Sequence, residues 1–434
     1  MAELTRRDFI RVSGTALGGA SIATMLDARQ APAQNRGTTL RMITWSHFVP
    51  AYDQWLDKFA REWGEKNGVK VLVDHIPNLE LPARYAAEFA AGAGHDLIHF
   101  AAQILTGHYY KNLVDMGDVA EPLGKKYGGW MEAATSAAQV NGAWYAVPDY
   151  FVPIPVLWRK DLLDQANLAT PDTWDKLRIA ARTLKSKGHP TGMQFSHCND
   201  ANHNWRAVLY CFGARETDPS GQNIVLDSKE TRETLRFAKA LYEEGMTPEV
   251  FSWDDASDNR YLASGVACWI HDAISAYRTT QDTNPDVYKS TYVLPEAAGP
   301  GGERKNVGEP TVFAIWKFGK NPVAAKELIT YLADHQVEAM TASRGFNMPF
   351  LRAQYKKPMP VIGEDPKLSP MQDIEKITAF FGYPGPMSPP AQEVVTTFVI
   401  PDMFTRVARG QNIDETVKWG VGEIRRIYAK YKAA

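Results

Sequence analysis

The sequence predicts an α/β protein of two lobes, on three observations. Strands and helices alternate from residue 39 to residue 100, as in βαβ units that build a parallel sheet. At 434 residues the chain exceeds the size, about 250–300 residues, at which one hydrophobic core stops growing. And a proline-studded extended stretch, residues 141–163, reads as a crossing between two bodies.

The elements follow in order. Thr39 to Trp45 reads as a first strand, with Ser46 to Pro50 a loop. Tyr52 to Trp63 reads as a helix, because Trp55, Phe59 and Trp63 recur at i, i+4 and i+8. Val69 to Ile76 is a second strand, Leu81 to Ala91 a second helix, and His95 to Phe100 a third strand after a glycine break. In open parallel sheets ligands sit at the carboxyl ends of strands. That rule brings Trp45, Ser46, His47 and Gln103 to the border of a site.

The crossing opens with an Asn141-Gly142 turn and carries Pro148, Pro153 and Pro155 among aromatic and branched residues. Proline cannot donate to a β-ladder, so an ordinary central strand is not expected there. Asp149 and Tyr150 stand at its middle, where they would line a cleft between the lobes. A helix is expected from near Lys160.

Downstream, Trp174, Leu177, Ala181 and Leu184 keep helical spacing. Residues 196–204 form a crowded polar run, and a further helix is expected to open at Trp205. Asp227 and Glu230 fit a capping box ahead of a helix to Gly245. Val266 to Ile270 and Thr311 to Trp316 read as strands, Asn321-Pro322 as a helix start, and residues 395–431 as mostly helical.

A composition of 44% hydrophobic and 23% charged residues is that of a soluble globular protein. The net charge of −2 argues against nucleic acid as a partner, since such binding rests on clustered Lys and Arg. Residues 1–33 read as an export signal. Arg6-Arg7 precedes an apolar run with modest hydrophobicity, and Ala31-Pro32-Ala33 offers a small-x-small cleavage site, a pattern resembling a twin-arginine signal read by the translocase. No later stretch has the length and apolarity of a membrane span. The three cysteines, Cys198, Cys211 and Cys268, allow one Cys198–Cys211 bond but read better as buried thiols.

These elements, in this order, resemble the extracytoplasmic solute-binding proteins of ABC importers, in the group with maltose- and other carbohydrate-binding members. The most specific stretches are Trp144 to Pro148 and Leu157 to Leu163. Gly94 to Ile98, Pro171 to Trp174, Leu241 to Gly245, Ser264 to Ile270 and Lys320 to Leu328 support them. The resemblance implies a two-lobed periplasmic-binding-protein fold of type II, with discontinuous lobes joined by hinge crossings. Their expected extents are 38–150 with 306–347, and 151–305 with 348–434. It also implies a monomeric periplasmic receptor with no cofactor or metal, closing on a carbohydrate and delivering it to the transmembrane subunits of a permease. The family's cleft positions fall on Trp45 to His47, Asn202 to Trp205, His271 to Ser275, Gly308 to Pro310 and Phe346-Asn347. Two departures set maltose aside: there is no Asn-Gly-Pro-Trp run after Ile270, and Val152 stands where maltose-type members have a carboxylate.

Sugar chemistry asks for planar polar partners for hydroxyls and flat rings for C–H faces. Trp45, Tyr150, Trp205 and Trp269 are the candidate platforms, Trp269 the weakest because it lies in a strand. His47, Asp149, Asn204, His271, Asp272, Glu309 and Asn347 are the candidate polar partners. His95 and His99 read as a hydrogen-bonded pair rather than metal ligands. Residues 254–259 lack the glycine and terminal Glu of a calcium loop and read as a helix entry. No nucleophile elbow, zinc-protease motif or phosphate loop is present. Two rival readings remain: a receptor for a polyol or glycerol phosphate derivative, and an exported glycoside hydrolase working with Asp149 and Glu309.

Overall fold

The computed structural model describes residues 37–101 and 104–432. The export-signal reading, Gln103 and its neighbour Ala102 therefore lie outside the described residues. The principal strands are β1 (Thr39–Trp45), β2 (Lys70–Ile76), β3 (Leu97–Phe100), β4 (Val147–Val152), β5 (Val156–Arg159), β6 (Trp269–His271), β7 (Thr291–Leu294), β8 (Glu309–Ile315) and β9 (Met348–Pro349). Among the described residues they form two sheets. The larger has the order β9-β4-β8-β3-β1-β2, and the smaller the order β6-β5-β7.

The larger sheet begins as the alternation predicts. β1 pairs in parallel with β2 and β3, and helices Pro50–Asn67 and Leu81–Ala91 connect them. Leu40, Met42 and Ile43 of β1 are wholly buried. β8 then enters antiparallel between β3 and β4. Asp96, just ahead of β3, accepts the amide of Arg41 at 3.0 Å and those of Lys320 and Asn321 at 2.6 and 3.1 Å. The start of helix Pro322–Asp334 is thus held by a carboxylate from across the sheet. The Asn321 side chain instead donates to the Thr39 carbonyl.

Two expectations about the crossing are revised. Asn141 and Gly142, with φ of 53° and 80°, make the expected turn between two short paired strands. But β4 lies inside the sheet, between β8 and β9. Pro148 is tolerated because the β4–β8 register shifts between Pro310 and Val312, and because β9 pairs only with Tyr150 and Phe151. The sheet also continues to Val152 and takes in Met348–Pro349. Elsewhere the helix expected from Trp205 begins six residues earlier, at Asn199. The cap expected at Asp227 is Ser228, whose hydroxyl accepts the Thr231 amide at 3.1 Å.

From β4 the chain passes through Pro153-Ile154-Pro155 straight into β5, the middle strand of the smaller sheet. Three residues thus carry it from one sheet to the other. Asn306, wholly buried, holds this link. Its Oδ1 accepts the Ile154 amide at 3.1 Å, and its Nδ2 donates to the Ile154 and Pro295 carbonyls. One residue further, the Pro155 carbonyl accepts the amide of Asp272 at 3.0 Å. The cysteines are free and buried, so no Cys198–Cys211 bond forms.

Removing the Asn306 carboxamide strands both polar groups of Ile154. At about 1–3 kcal/mol for each unsatisfied buried group, Asn306→Ala should lose ~2–6 kcal/mol in urea unfolding. A loss under ~0.5 kcal/mol would mean the link is held by other contacts.

Candidate ligand-binding site

On the larger sheet, the carboxyl end of β1 meets β4. Trp45 Nε1 donates to the Tyr150 hydroxyl at 3.0 Å, and both residues are nearly fully buried. The Trp45 ring lies 4.7 Å from His47, 5.2 Å from Phe48 and 6.0 Å from Phe346, centre to centre. Burial, with Asp149 and Glu309 nearby, pushes the Tyr150 pKa well up. The hydroxyl therefore stays protonated: it accepts from Trp45 and keeps its own hydrogen to donate.

The tautomer of His47 follows from its neighbours. Nδ1 accepts the Val49 amide at 2.9 Å, so Nε2 carries the hydrogen and donates to Asn347 Oδ1 at 3.0 Å. Burial holds the ring neutral, with its pKa lowered to about 4. Fixing Asn347 Oδ1 in this way leaves Asn347 Nδ2, also buried, with no partner in the protein. Buried polar groups are seldom left so. This wall therefore presents two donors, Tyr150 Oη and Asn347 Nδ2.

The smaller sheet's side is built of carboxylates. Gln194 Nε2 donates to Asp200 at 3.0 Å and to Asp258 at 2.8 Å, while Gln194 Oε1 accepts from Asn204 Nδ2 at 3.1 Å. Asp255 accepts the Asp200 amide at 3.1 Å, at the start of helix Asn199–Cys211. Asp272 accepts the Ala273 amide at 2.6 Å. The Asn259 carboxamide, turned with its nitrogen toward Asp272, donates at 2.8 Å. Asn204 Oδ1 and His271 Nδ1 have no partner in the protein, while His271 Nε2 and Glu296 lie 3.1 Å apart. Burial, with the mutual repulsion of these groups, drives Asp200 and Asp272 well up and Asp258 to about 7.

Glu309 links the two walls, since its charge contributes to the raised pKa of Tyr150 on one side and of Asp200 and Asp272 on the other. The walls also touch at two places. Asn78, just past β2, donates to Asp255 at 3.5 Å. Arg278 donates twice to the Arg344 carbonyl, at 3.0 and 2.7 Å, and the Arg344 guanidinium pairs with Asp282 at 2.7 Å.

The structure thus gathers Trp45, His47, Tyr150 and Asn347 on one wall, and Asn204 and Asp272 on the other, with Glu309 close to both, while His271 packs against Trp174 and Glu296. Ser46 donates its amide to the Ile76 carbonyl at 2.8 Å, at the margin. Three expectations are corrected. Trp205 is wholly buried between Phe195 and Phe404, at 4.5 and 4.6 Å, and its Nε1 donates to the Gln194 carbonyl at 2.7 Å. It is a core residue, not a platform, as is Trp269, whose Nε1 donates to the Leu177 carbonyl. Asp149 is buried and held by the protein beside the His99 ring, which also packs 5.6 Å from Tyr150. It is engaged by Gln336 and lies 3.3 Å from His99. Asp255, Asp258 and Gln194 were not among the expected site residues. The helix-entry reading of residues 254–259 holds, with helix Ser257–Ala263 following, yet its aspartates join the acidic wall from a segment distant in sequence.

Residues 49–339 match the family of bacterial extracellular solute-binding proteins. The chain belongs to this family. Its members are binding proteins of ABC importers rather than enzymes. The chain is 22% identical, over 75% of its length and 76% of the relative's, to a probable ABC transporter-binding protein of Deinococcus radiodurans. Its fold is that of the two-lobed binding proteins. It superimposes on maltose-bound MalE3 of T. maritima with a TM-score of 0.78 at 21% identity, covering 90% of this chain and 100% of that one. A solute-binding protein of Agrobacterium radiobacter in complex with ribitol gives 0.75 at 19%, covering 91% and 99%. A sugar transporter protein of Arthrobacter chlorophenolicus with bound laminaribiose gives 0.75 at 17%, covering 89% and 98%. Among the described residues no helix is long and apolar enough to cross a membrane.

Two predictions follow from the site's electrostatics and packing. A carboxyl whose folded pKa lies above its ordinary 3.8 takes up a proton on folding. The associated stability is complete below that value and is lost as pH rises through about 7. Between about pH 5 and about pH 8 the melting temperature should therefore fall less in Asp258→Asn than in the wild type. Equal slopes would contradict the buried-acid account. Trp205→Ala should cost ~3–5 kcal/mol of stability, read by denaturant unfolding, rather than acting on ligand affinity alone.

Proposed function

We propose that this protein is the extracytoplasmic receptor of an ABC importer for a sugar, oligosaccharide or polyol, bound between the Trp45–Tyr150 wall and the Asp200–Asp272 wall. The observation that carries this reading is the chemistry brought together there. One wall offers an aromatic cluster with two fixed donors; the other offers acceptors; and two buried polar atoms, on Asn204 and Asn347, lack partners in the protein. Hydroxyl groups, each donor and acceptor, suit both walls at once.

The missing carboxylate of the crossing has a spatial substitute. Glu309 stands directly opposite Val152 in the β4–β8 register, so an acid reaches the same region from the neighbouring strand. The relatives with maltose, ribitol and laminaribiose show how varied the hydroxylated ligands of such proteins are. A glycerol phosphate derivative is disfavoured: the expected cleft has few basic residues, and Arg344, the main one, is spent on Asp282 and Gln281.

In this reading the lobes are those expected, 38–150 with 306–347 and 151–305 with 348–434, except that the larger sheet draws residues 151–152 and 348–349 into the first. They hinge at Pro153 to Pro155, and the Asn78–Asp255 and Arg278–Arg344 contacts form on closure. A ligand favours the closed form only through its greater affinity for it. The closed receptor is then presented to the transmembrane subunits of the permease. Residues 1–33 direct export to the periplasm through the twin-arginine translocase, and the mature receptor works as a monomer.

A thermal-shift screen against monosaccharides, oligosaccharides and polyols should find at least one that raises the melting temperature with concentration. With that ligand, Trp45→Ala should weaken binding by ~1–3 kcal/mol in calorimetry, the scale of a lost aromatic contact. No response across the screen would count against the receptor reading. Unchanged affinity in the variant would take Trp45 out of the site.

A further inference from the structure

The acidic wall holds more carboxyl groups than hydroxyl recognition requires. Asp200, Asp258 and Asp272 each place one carboxylate oxygen within 4.8 Å of the other two. Asp258 is wholly buried, and Asp200 and Asp272 are only 7% and 3% exposed. Among the described residues none of the three makes an ion pair with Lys, Arg or His, nor does Asp255 beside them. The donors that do reach them are neutral: Gln194, Asn259 and backbone amides. Burying several like charges without a countercharge is costly.

A second observation concerns Asn204. It lies one helical turn on from Asp200, on the same face of helix Asn199–Cys211. Its nitrogen is committed to Gln194, the same carboxamide that holds Asp200 and Asp258. Its oxygen, in a residue with no exposure, has no partner in the protein. The group thus adds an unused neutral acceptor to three carboxylates, with no sulfur or imidazole among them. Oxygen-only sets of this kind suit hard cations, which take such ligands at about 2.3–2.6 Å for calcium. Two oxygens across one such ion lie up to about 5 Å apart, and the observed 4.8 Å limit falls within that reach.

We propose that Asp200, Asp258 and Asp272, with Asn204 Oδ1, bind a hard divalent cation of the calcium type in the acidic wall. The ion neutralises the wall and turns its remaining coordination positions toward the cleft, where vicinal hydroxyls of a solute can occupy them. Only this last step rests on the receptor reading; the ion site stands on its own residues.

The test uses purified protein freed of metal with chelator. Calcium, magnesium, manganese and zinc chlorides are titrated one at a time, followed by melting temperature and calorimetry. Calcium should bind at one ion per chain and raise the melting temperature progressively with concentration. Asp258→Asn and Asp272→Asn should each lose that response. The metal-free Asp258→Asn variant should melt no lower than the metal-free wild type near neutral pH, which separates a lost ligand from a damaged fold. Absence of binding by all four ions, or a calcium response kept by both variants, would overturn the proposal. So would stabilisation by putrescine and not by calcium, which would assign the wall to an organic ammonium group. Sugar binding that persists unchanged in chelator would remove the bridging role while leaving the receptor reading intact. Sugar binding absent with and without calcium would count against the receptor reading and not against the ion site.

Discussion

The site depends on how the Pro153-Ile154-Pro155 link is held. It is the short path between the two sheets, and each of its backbone bonds positions something that matters. Asn306 takes both polar groups of Ile154, so neither is left without a partner in the link. The Pro155 carbonyl takes the amide of Asp272, which places the acidic wall relative to the same link. Upstream, β4 delivers Tyr150 against Trp45. Both walls are therefore referenced to three residues, two of them prolines whose φ is fixed.

The walls differ in how they meet the cost of burial. On the β1–β4 side, polar atoms are arranged in a chain that ends in donors: the Val49 amide sets His47, His47 sets Asn347, and Trp45 sets Tyr150. The opposite side ends in acceptors and carries the unfavourable term, several carboxylates raised in pKa by burial and by one another. Such a wall is stable only with protons, a cation or a ligand supplying donors. Functional sites are where strain of this kind is retained.

Much of the fold was legible because its signals are local. Alternation marked β1 to β3, and the Asn141-Gly142 turn was read from two residues. The failures have physical causes. Pro148 argued against an interior strand, and only the register shift beside it, where three steps of β4 meet two of β8, makes it acceptable. Trp205 looked like a platform because it follows a polar run. Helix Asn199–Cys211 starts six residues earlier and turns that ring inward to Phe404. Asp258 was read as part of a helix entry, which it is. Its partnership with Asp200 and Asp272 joins three segments distant in sequence, and no linear motif encodes that.

The central claim is that the solute lies between the Trp45–Tyr150 wall and the Asp200–Asp272 wall. A crystal structure of the protein grown with a stabilising solute tests it most directly. Solute density is expected within hydrogen-bonding distance of both Asn347 Nδ2 and the acidic wall, close to the Trp45 ring. A solute bound instead in the separate cavity of about 810 Å³ lined by residues such as Gln139, Asn141, Arg352 and Phe380, with these walls untouched, would contradict it.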